Sequence, residues 1–283
     1  MLRSYLKIRR LNRVALPALL VLASPLLVGA GTGASPVGRE VVRARWLMGT
    51  VLEIRLPGAT EGADELAEAA FREVAAVEEA ASLWRPGTEL EAVHARAAEG
   101  QAVVVSEILG ALLEEALRAA ELTAGAFTPA AGALVREWDL RGEGRSPSSA
   151  EIARAAALAR PDGVRFDAES RTLRLDAGVT LDLDGIAKGF ALDRAAAALR
   201  ARGADDALLN FGGQLLAIGP PAGRPAREAL VVSPTDPSVP VLSVRIRNAS
   251  LSTSANSERV RIVAGREAGH LLDPRTGRLV PFN

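Results

Sequence analysis

Leu181-Asp182-Leu183-Asp184-Gly185-Ile186-Ala187-Lys188-Gly189-Phe190 is the stretch on which the reading of this chain turns. From Val179 onward the apolar residues 179, 181 and 183 alternate with Thr180, Asp182 and Asp184. That period predicts a strand with one buried face that delivers carboxylates to its polar side. Gly185 then breaks the strand and Ile186 opens a helix predicted to run to Arg202. Free backbone N–H groups and the positive end of the helix dipole would point out of the junction, which makes it a ready anion site. Lys188 adds a mobile positive charge on the first turn, and Gly189 permits a close approach where a β-carbon would block it. The alternative is a well-capped strand-to-helix turn with a solvated lysine. Composition favours the anion site, because the only other lysine is Lys7 and nearly every other cation is arginine.

Around this junction the hydrophobic period switches repeatedly between two and 3.6 residues. Val41 to Trp46 and Val51 to Leu56 read as short strands joined by Met48-Gly49-Thr50. Thr60 is the expected cap of a helix over 63–81, with Leu66, Ala70, Val74 and Val77 on one face. A loop, Ser82 to Thr88, carries Trp84. A short helix over 89–98, a strand over 102–105 and a helix opened by Ser106 and running to about Thr123 follow. Gly125 stops that helix, and Phe127-Thr128-Pro129 leads into a helical segment ending near Trp138. Residues 141–149 read as an exposed loop. Beyond it come a helix over 150–159 and strands over 163–166 and 172–176. After the junction helix, strands are expected near 206–218, 229–233 and 241–247. Strands and helices mix without βαβ repetition, so the fold class expected is α+β in one compact domain rather than a doubly wound sheet.

Aromatic residues are only 4% of 283 residues, so the core must rest on Leu, Val, Ile and Ala. The chain has no cysteine, which excludes disulfides, thiolate metal sites, a thiol nucleophile and a lipid-modified cysteine. Basic and acidic residues balance at 34 each, and no nucleic-acid footprint is present. Residues 1–34 read as a secretory signal peptide: five basic residues from Arg3 to Arg13, an apolar run from Val14 to Val28 broken by Pro17 and Pro25, then small residues. A retained membrane anchor is the other reading, though the run is short for a span. The Gly29 to Gly33 cluster reads as a flexible linker, not a dinucleotide loop. Residues 35–283 would then form the exported domain, in the periplasm or cell envelope, without a lipid anchor.

Histidine is as scarce as lysine. His94 sits in a predicted helix, at the surface or supporting a site. His270 precedes Leu271-Leu272-Asp273-Pro274-Arg275-Thr276-Gly277, whose Asp-Pro and Thr-Gly pairs define a tight turn. A histidine beside such a turn is either a held general base or a structural residue. Ser252 to Asn256 is a hydroxyl and amide run that could bind a polar ligand or simply be a polar loop. Serine-hydrolase, zinc-peptidase and P-loop signatures are all absent.

Met48-Gly49-Thr50, Ser82-Leu83-Trp84 with Thr88-Glu89-Leu90, Gly125-Ala126-Phe127, Leu181 to Phe190, Asn210-Phe211-Gly212-Gly213, Thr253-Ser254 and His270 to Gly277 occur in an order that resembles the ApbE family of FAD:protein FMN transferases. The resemblance covers nearly all of the chain after the signal segment. It implies that Met48, Trp84, Ala126, Phe127, Thr128, Lys188 and Leu272 line an FAD site. Trp84 would stack on a ring, and Lys188 would meet the pyrophosphate. It also implies transfer of FMN from FAD to a threonine of an acceptor flavoprotein with loss of AMP, Mg²⁺ as the cofactor, His270 as proton acceptor, and the Gly185 carbonyl as a metal ligand.

Departures from the family pattern are also present. The family places an Asp and, four residues later, a Thr or Ser after the His270 turn as metal ligands, whereas the sequence given stops at Asn283. Asp184, Thr128, Gln214 and Ala255 stand where Gly, Asp, Asp and Gly are usual. Asp184 is then a candidate substitute ligand. Three functions stay open on the sequence: an FMN transferase, a non-catalytic FAD-binding relative, and an FAD pyrophosphatase that uses water as the acceptor.

Overall fold

Alternation in the N-terminal strands closes a hairpin whose geometry is set by its turn. In the computed structural model, which describes residues 40–58, 60–221, 223–233, 236, 238–254, 261–263 and 266–281, β1 (Val41–Leu47) pairs antiparallel with β2 (Thr50–Leu56). Leu47 faces Thr50, so Met48 and Gly49 form a two-residue turn, with φ of 46° and 75°. Positive φ at both positions is the type I′ pattern, whose twist matches that of the flanking strands. The signal-peptide reading of residues 1–34, the Gly29 to Gly33 cluster and Ala255-Asn256 lie outside the described residues.

The helix α1 (Ala63–Ala81) has the predicted bounds and buries Leu66, Ala70, Phe71, Val74 and Val77. Its N-cap is Gly62, in the left-handed region, and not Thr60, whose backbone N–H instead closes a turn onto Pro57. Next come α2 (Glu89–Ala98), β3 (Val103–Val104) and α3 (Glu107–Leu122). Thr88 and Ser106 cap the two helices by accepting N–H bonds from Glu91 and Leu109. Then follow α4 (Gly132–Glu137), α5 (Ser149–Leu158), a 3₁₀ turn over 161–163, β4 (Val164–Asp167) and β5 (Thr172–Leu175). Ser148 and Glu151 form a capping box at the start of α5.

After α6 (Asp184–Arg200) the chain returns through β6 (Ala207–Phe211) and β7 (Gln214–Ile218). Then come β8 (Arg227–Val232), β9 (Pro240–Ile246), β10 (Ala249–Leu251), β11 (Arg261–Val263), β12 (Arg266–Ala268), β13 (Leu272–Asp273) and β14 (Arg278–Leu279). The main sheet has five strands in the order β1-β2-β6-β7-β10, all antiparallel, and β3-β5-β4 form a smaller one. Among the described residues, three hairpins complete the strands. The fold is α+β, as expected, and Gly38 to Asn283 form a single compact unit.

One face of the main sheet presents Leu52, Ile54, Leu56, Leu209 and Phe211 to α1 and α6, and this is where the core lies. Helix α6 buries Ala187, Ala191, Leu192, Ala195, Ala196 and Leu199, so small alanines let it run close to α1. Arg194 reinforces the pair by donating two hydrogen bonds to Glu73, at 2.6 and 3.0 Å. The opposite sheet face holds a smaller cluster, Ala217, Ala229 and Ile246, under the β8–β9 hairpin. No helix among the described residues is long and apolar enough to cross a membrane.

Candidate functional site

Residues 179–183, expected as a strand, run extended but join no sheet. Val179, Leu181 and Leu183 are buried as the alternation required, yet Asp182 is buried too, at 7% exposure. The backbone here is satisfied piecemeal. Thr180 C=O accepts from Gly132 N–H, Asp182 N–H donates to Pro129 C=O, and Leu181 N–H donates to His94 Nε2 at 3.0 Å. A segment paired to side chains and loop carbonyls has no ladder partner, which is why a strand pattern here gives no strand. The α6 helix then begins at Asp184, two residues before the predicted Ile186, where Asp182 Oδ1 accepts the Asp184 N–H at 3.1 Å.

Loops from separate parts of the chain gather around this start of α6. The β6–β7 turn, Gly212-Gly213, is a second two-residue turn with φ of 59° and 91°. Its tip lies against the β1–β2 turn: a β-carbon on Gly212 would sit 2.6 Å from Thr50 Oγ1. Met48 N–H donates to Glu78 Oε1, and the Glu78 carboxylate also lies 3.6 Å from Arg85. Gln214 reaches over Gly189, where a β-carbon would come 3.3 Å from its Nε2. The Phe127 ring packs on Gly185, 3.2 Å from the position of a β-carbon there. Each glycine of the opening stretch therefore has a neighbour that explains it. Lys188 is half-buried, one turn beyond Asp184.

The loop carrying Trp84 is cinched at its base. Ser82 Oγ accepts Trp84 N–H, Thr88 donates its hydroxyl proton to Ser82 C=O at 2.7 Å, and Gly87 N–H donates to Glu91. The indole remains 52% exposed, with Nε1–H donating to Asp184 Oδ2 at 2.9 Å. Arg141 lies over that ring, 5.7 Å from its centroid. The guanidinium donates to Asp182 Oδ2 at 2.5 Å and to Asp184 Oδ2 at 3.4 Å. Arg141 falls in the segment read from sequence as an exposed loop. In an arginine-rich chain, nothing in composition marks it. Burial, and then the Asp184 charge, push the Asp182 carboxyl above its ordinary value, while Arg141 draws it back.

His94 was placed by sequence at the surface or in support of a site. It is half-buried, and its ring holds the 179–183 segment. Burial first, then the charges of Arg136 and Arg141, lower its pKa to about 4. Its rarity in the chain was the one available signal. Thr128 is buried and accepts Ala130 N–H, so its hydroxyl supports the turn into α4. Ala126 is exposed beside Phe127. Leu272 packs against Ala133 and Leu134 of α4, Ala155 of α5 and Ala159 just beyond α5, and Trp138 Nε1–H clamps the same hairpin through Gly277 C=O at 2.8 Å. His270, half-buried, lies two residues before β13.

A hard cation needs several oxygen donors. Here Asp184 Oδ2 already receives the Trp84 and Arg141 donors, and Asp182 is paired with Arg141. Among the described residues no three His, Cys, Asp or Glu side chains group as a metal site. The described residues alone do not fit a magnesium cage. A cavity of about 360 Å³ lies beside Leu66 and Arg202, at the other end of α6, roughly 25 Å away by helix rise.

These features define an α+β protein whose type I′ turns, tryptophan loop and polar segment converge on one helix start. The chain belongs to the ApbE family, whose model matches residues 48–281. It is 34% identical over 272 residues to an FAD:protein FMN transferase of Treponema pallidum, covering 89% of this chain and 75% of that one. A second, of Rhodobacter capsulatus, is 34% identical over 94% of this chain and 52% of its own length. Among solved structures, the ApbE protein of Thermotoga maritima superposes with a TM-score of 0.77 at 28% identity, over 84% of this chain and 78% of the other.

Proposed function

We propose that this protein transfers FMN from FAD to a threonine hydroxyl of an acceptor flavoprotein and releases AMP. The observation that carries the reading is the exposed Trp84 indole hydrogen-bonded to the first residue of α6, one helical turn from Lys188, in a chain of this family. An indole face suits a flavin or adenine ring. A helix N-terminus with a lysine on its first turns suits a diphosphate.

In the reaction, the threonine oxygen forms a bond to the FMN-side phosphorus, and the bond from that phosphorus to the bridging oxygen breaks, so AMP leaves with the bridging oxygen. The threonine proton passes to His270. Lys188 and the α6 N-terminus bind the diphosphate, Trp84 and Phe127 orient the ring systems, and Met48 and Ala126 form the adjoining walls. Leu272 positions the hairpin that follows His270. Mg²⁺ would neutralise charge developing on the transferred phosphoryl group. Because the described side-chain oxygens do not make a cage for it, the Gly185 carbonyl would be one ligand, and the others would come from the diphosphate, from water or from outside the described residues. The acceptor is an exported protein, and residues 1–34 take the enzyme to the same compartment.

The test incubates the purified chain with FAD, Mg²⁺ and an acceptor bearing a flavinylation threonine. Fluorescent acceptor together with AMP supports the transferase. AMP without labelled acceptor makes it a pyrophosphatase, and bound intact FAD makes it a binding protein. EDTA should stop labelling, and continued labelling would remove the ion from the reading. Fractionating cells that express the chain with and without residues 1–34 tests export.

A further inference from the structure

The tryptophan loop is fixed at its backbone, but nothing in that backbone fixes the indole. Two contacts bear on its orientation, the N–H bond to Asp184 Oδ2 at 2.9 Å and the Arg141 guanidinium 5.7 Å from the ring centroid. Both contacts lead to one residue, because Arg141 also donates to the Asp184 oxygen that Trp84 uses, and to the buried Asp182 at 2.5 Å. Asp182 in turn accepts the N–H of the first residue of α6. Without the guanidinium, two carboxylates two residues apart would face each other with one of them buried, and the acceptor for the indole would lose its support.

We propose that Arg141 is a positioning residue that sets the Trp84 indole at the flavin site by gripping Asp182, Asp184 and the ring face together. The role rests on the flavin reading of the site. It assigns a specific task to a residue on the α4–α5 loop: one cation offsets part of the negative charge of two carboxyl groups where an anionic diphosphate must approach. It also covers one indole face and leaves the rest of a half-exposed ring for a ligand. A planar guanidinium can pair with carboxylates and lie on an aromatic face at the same time, which an ammonium cannot do as well.

The test uses a Trp46→Phe/Trp138→Phe chain in which Trp84 is the sole indole, carrying Arg141, Arg141→Met or Arg141→Lys. Anisotropy and acrylamide quenching of the ligand-free protein read the motion and exposure of Trp84, and flavin-fluorescence titration reads FAD affinity. Arg141→Met should raise the quenching constant about twofold and weaken FAD about tenfold, and Arg141→Lys should recover part of both. Combining Arg141→Met with Trp84→Phe should weaken FAD no further than Trp84→Phe alone, since the two residues act through one contact. Unchanged anisotropy and quenching, or additive losses in the double variant, overturn the role. If the parent chain binds no FAD, the flavin reading fails while the ligand-free fluorescence still decides on Arg141. If Arg141→Met does not fold, Arg141→Lys decides by the same readouts.

Discussion

While His94 Nε2 accepts the Leu181 amide, that nitrogen cannot carry a proton, so this ring is a structural staple before it is anything else. Its pKa, about 4 when folded, lies below the ordinary histidine value. The unfolded chain therefore takes up a proton first as the pH falls. The staple's contribution is complete above about pH 6.5 and is lost progressively toward pH 4. The stability lost over that interval, about 2 kcal/mol after a discount for partial solvent screening, comes from burial and from Arg136 and Arg141 opposing a charged ring. Urea melts of the parent and of His94→Gln at pH 7.5 and 5 should show the parent losing stability over that interval and the variant losing less; parallel curves would contradict the staple. At Lys188, replacement by alanine should weaken FAD roughly tenfold, as loss of one charge at a diphosphate implies. Undiminished affinity would return that side chain to a role in the fold. His270→Ala should slow transfer by about 10² to 10⁴ with FAD binding retained, as removal of a general base does. Labelling rates at saturating FAD check this.

Elements with a single clear period were legible in the sequence, and those whose backbone is satisfied by side chains were not. The α1 and α2 helices have the predicted bounds, and the strands expected near 206–218 are β6 and β7, although their turn at Gly212-Gly213 was not part of that reading. The 179–183 segment shows strand alternation, but Pro129, Gly132 and His94 take its backbone groups, and none of these is near it in sequence. Arg141 stayed hidden for a related reason: a loop arginine acquires meaning only when Asp182 and Asp184 are folded beneath it. Close approach at the α4 start is testable. A β-carbon at Gly132 would meet Thr180 C=O at 2.8 Å and Leu181 C=O at 2.9 Å, so Gly132→Ala must push the polar segment away from α4. The cost expected is about 1–3 kcal/mol, the range for overpacking a tight site. Chemical denaturation measures it, and a neutral result would mean that the segment shifts freely.

Across the whole molecule, the aliphatic core does the work that aromatics do in other chains. Leu192 is fully buried on α6 among residues shared with α1 and the main sheet. Leu192→Ala should cost about 2–5 kcal/mol, read as a lowered melting temperature. The helix α6 also joins two functions that proteins often keep apart. Its first turn carries the proposed site, while most of its remaining length is packed on α1, so that end cannot unwind without opening the core. Site and scaffold are thermodynamically one object. A ligand seated at Lys188 would be felt as resistance to melting by the whole fold, by about 2.7 kcal/mol at a hundredfold excess over Kd. Heat alone, with no acceptor and no catalysis, could then rank nucleotides, flavins and diphosphates for this surface.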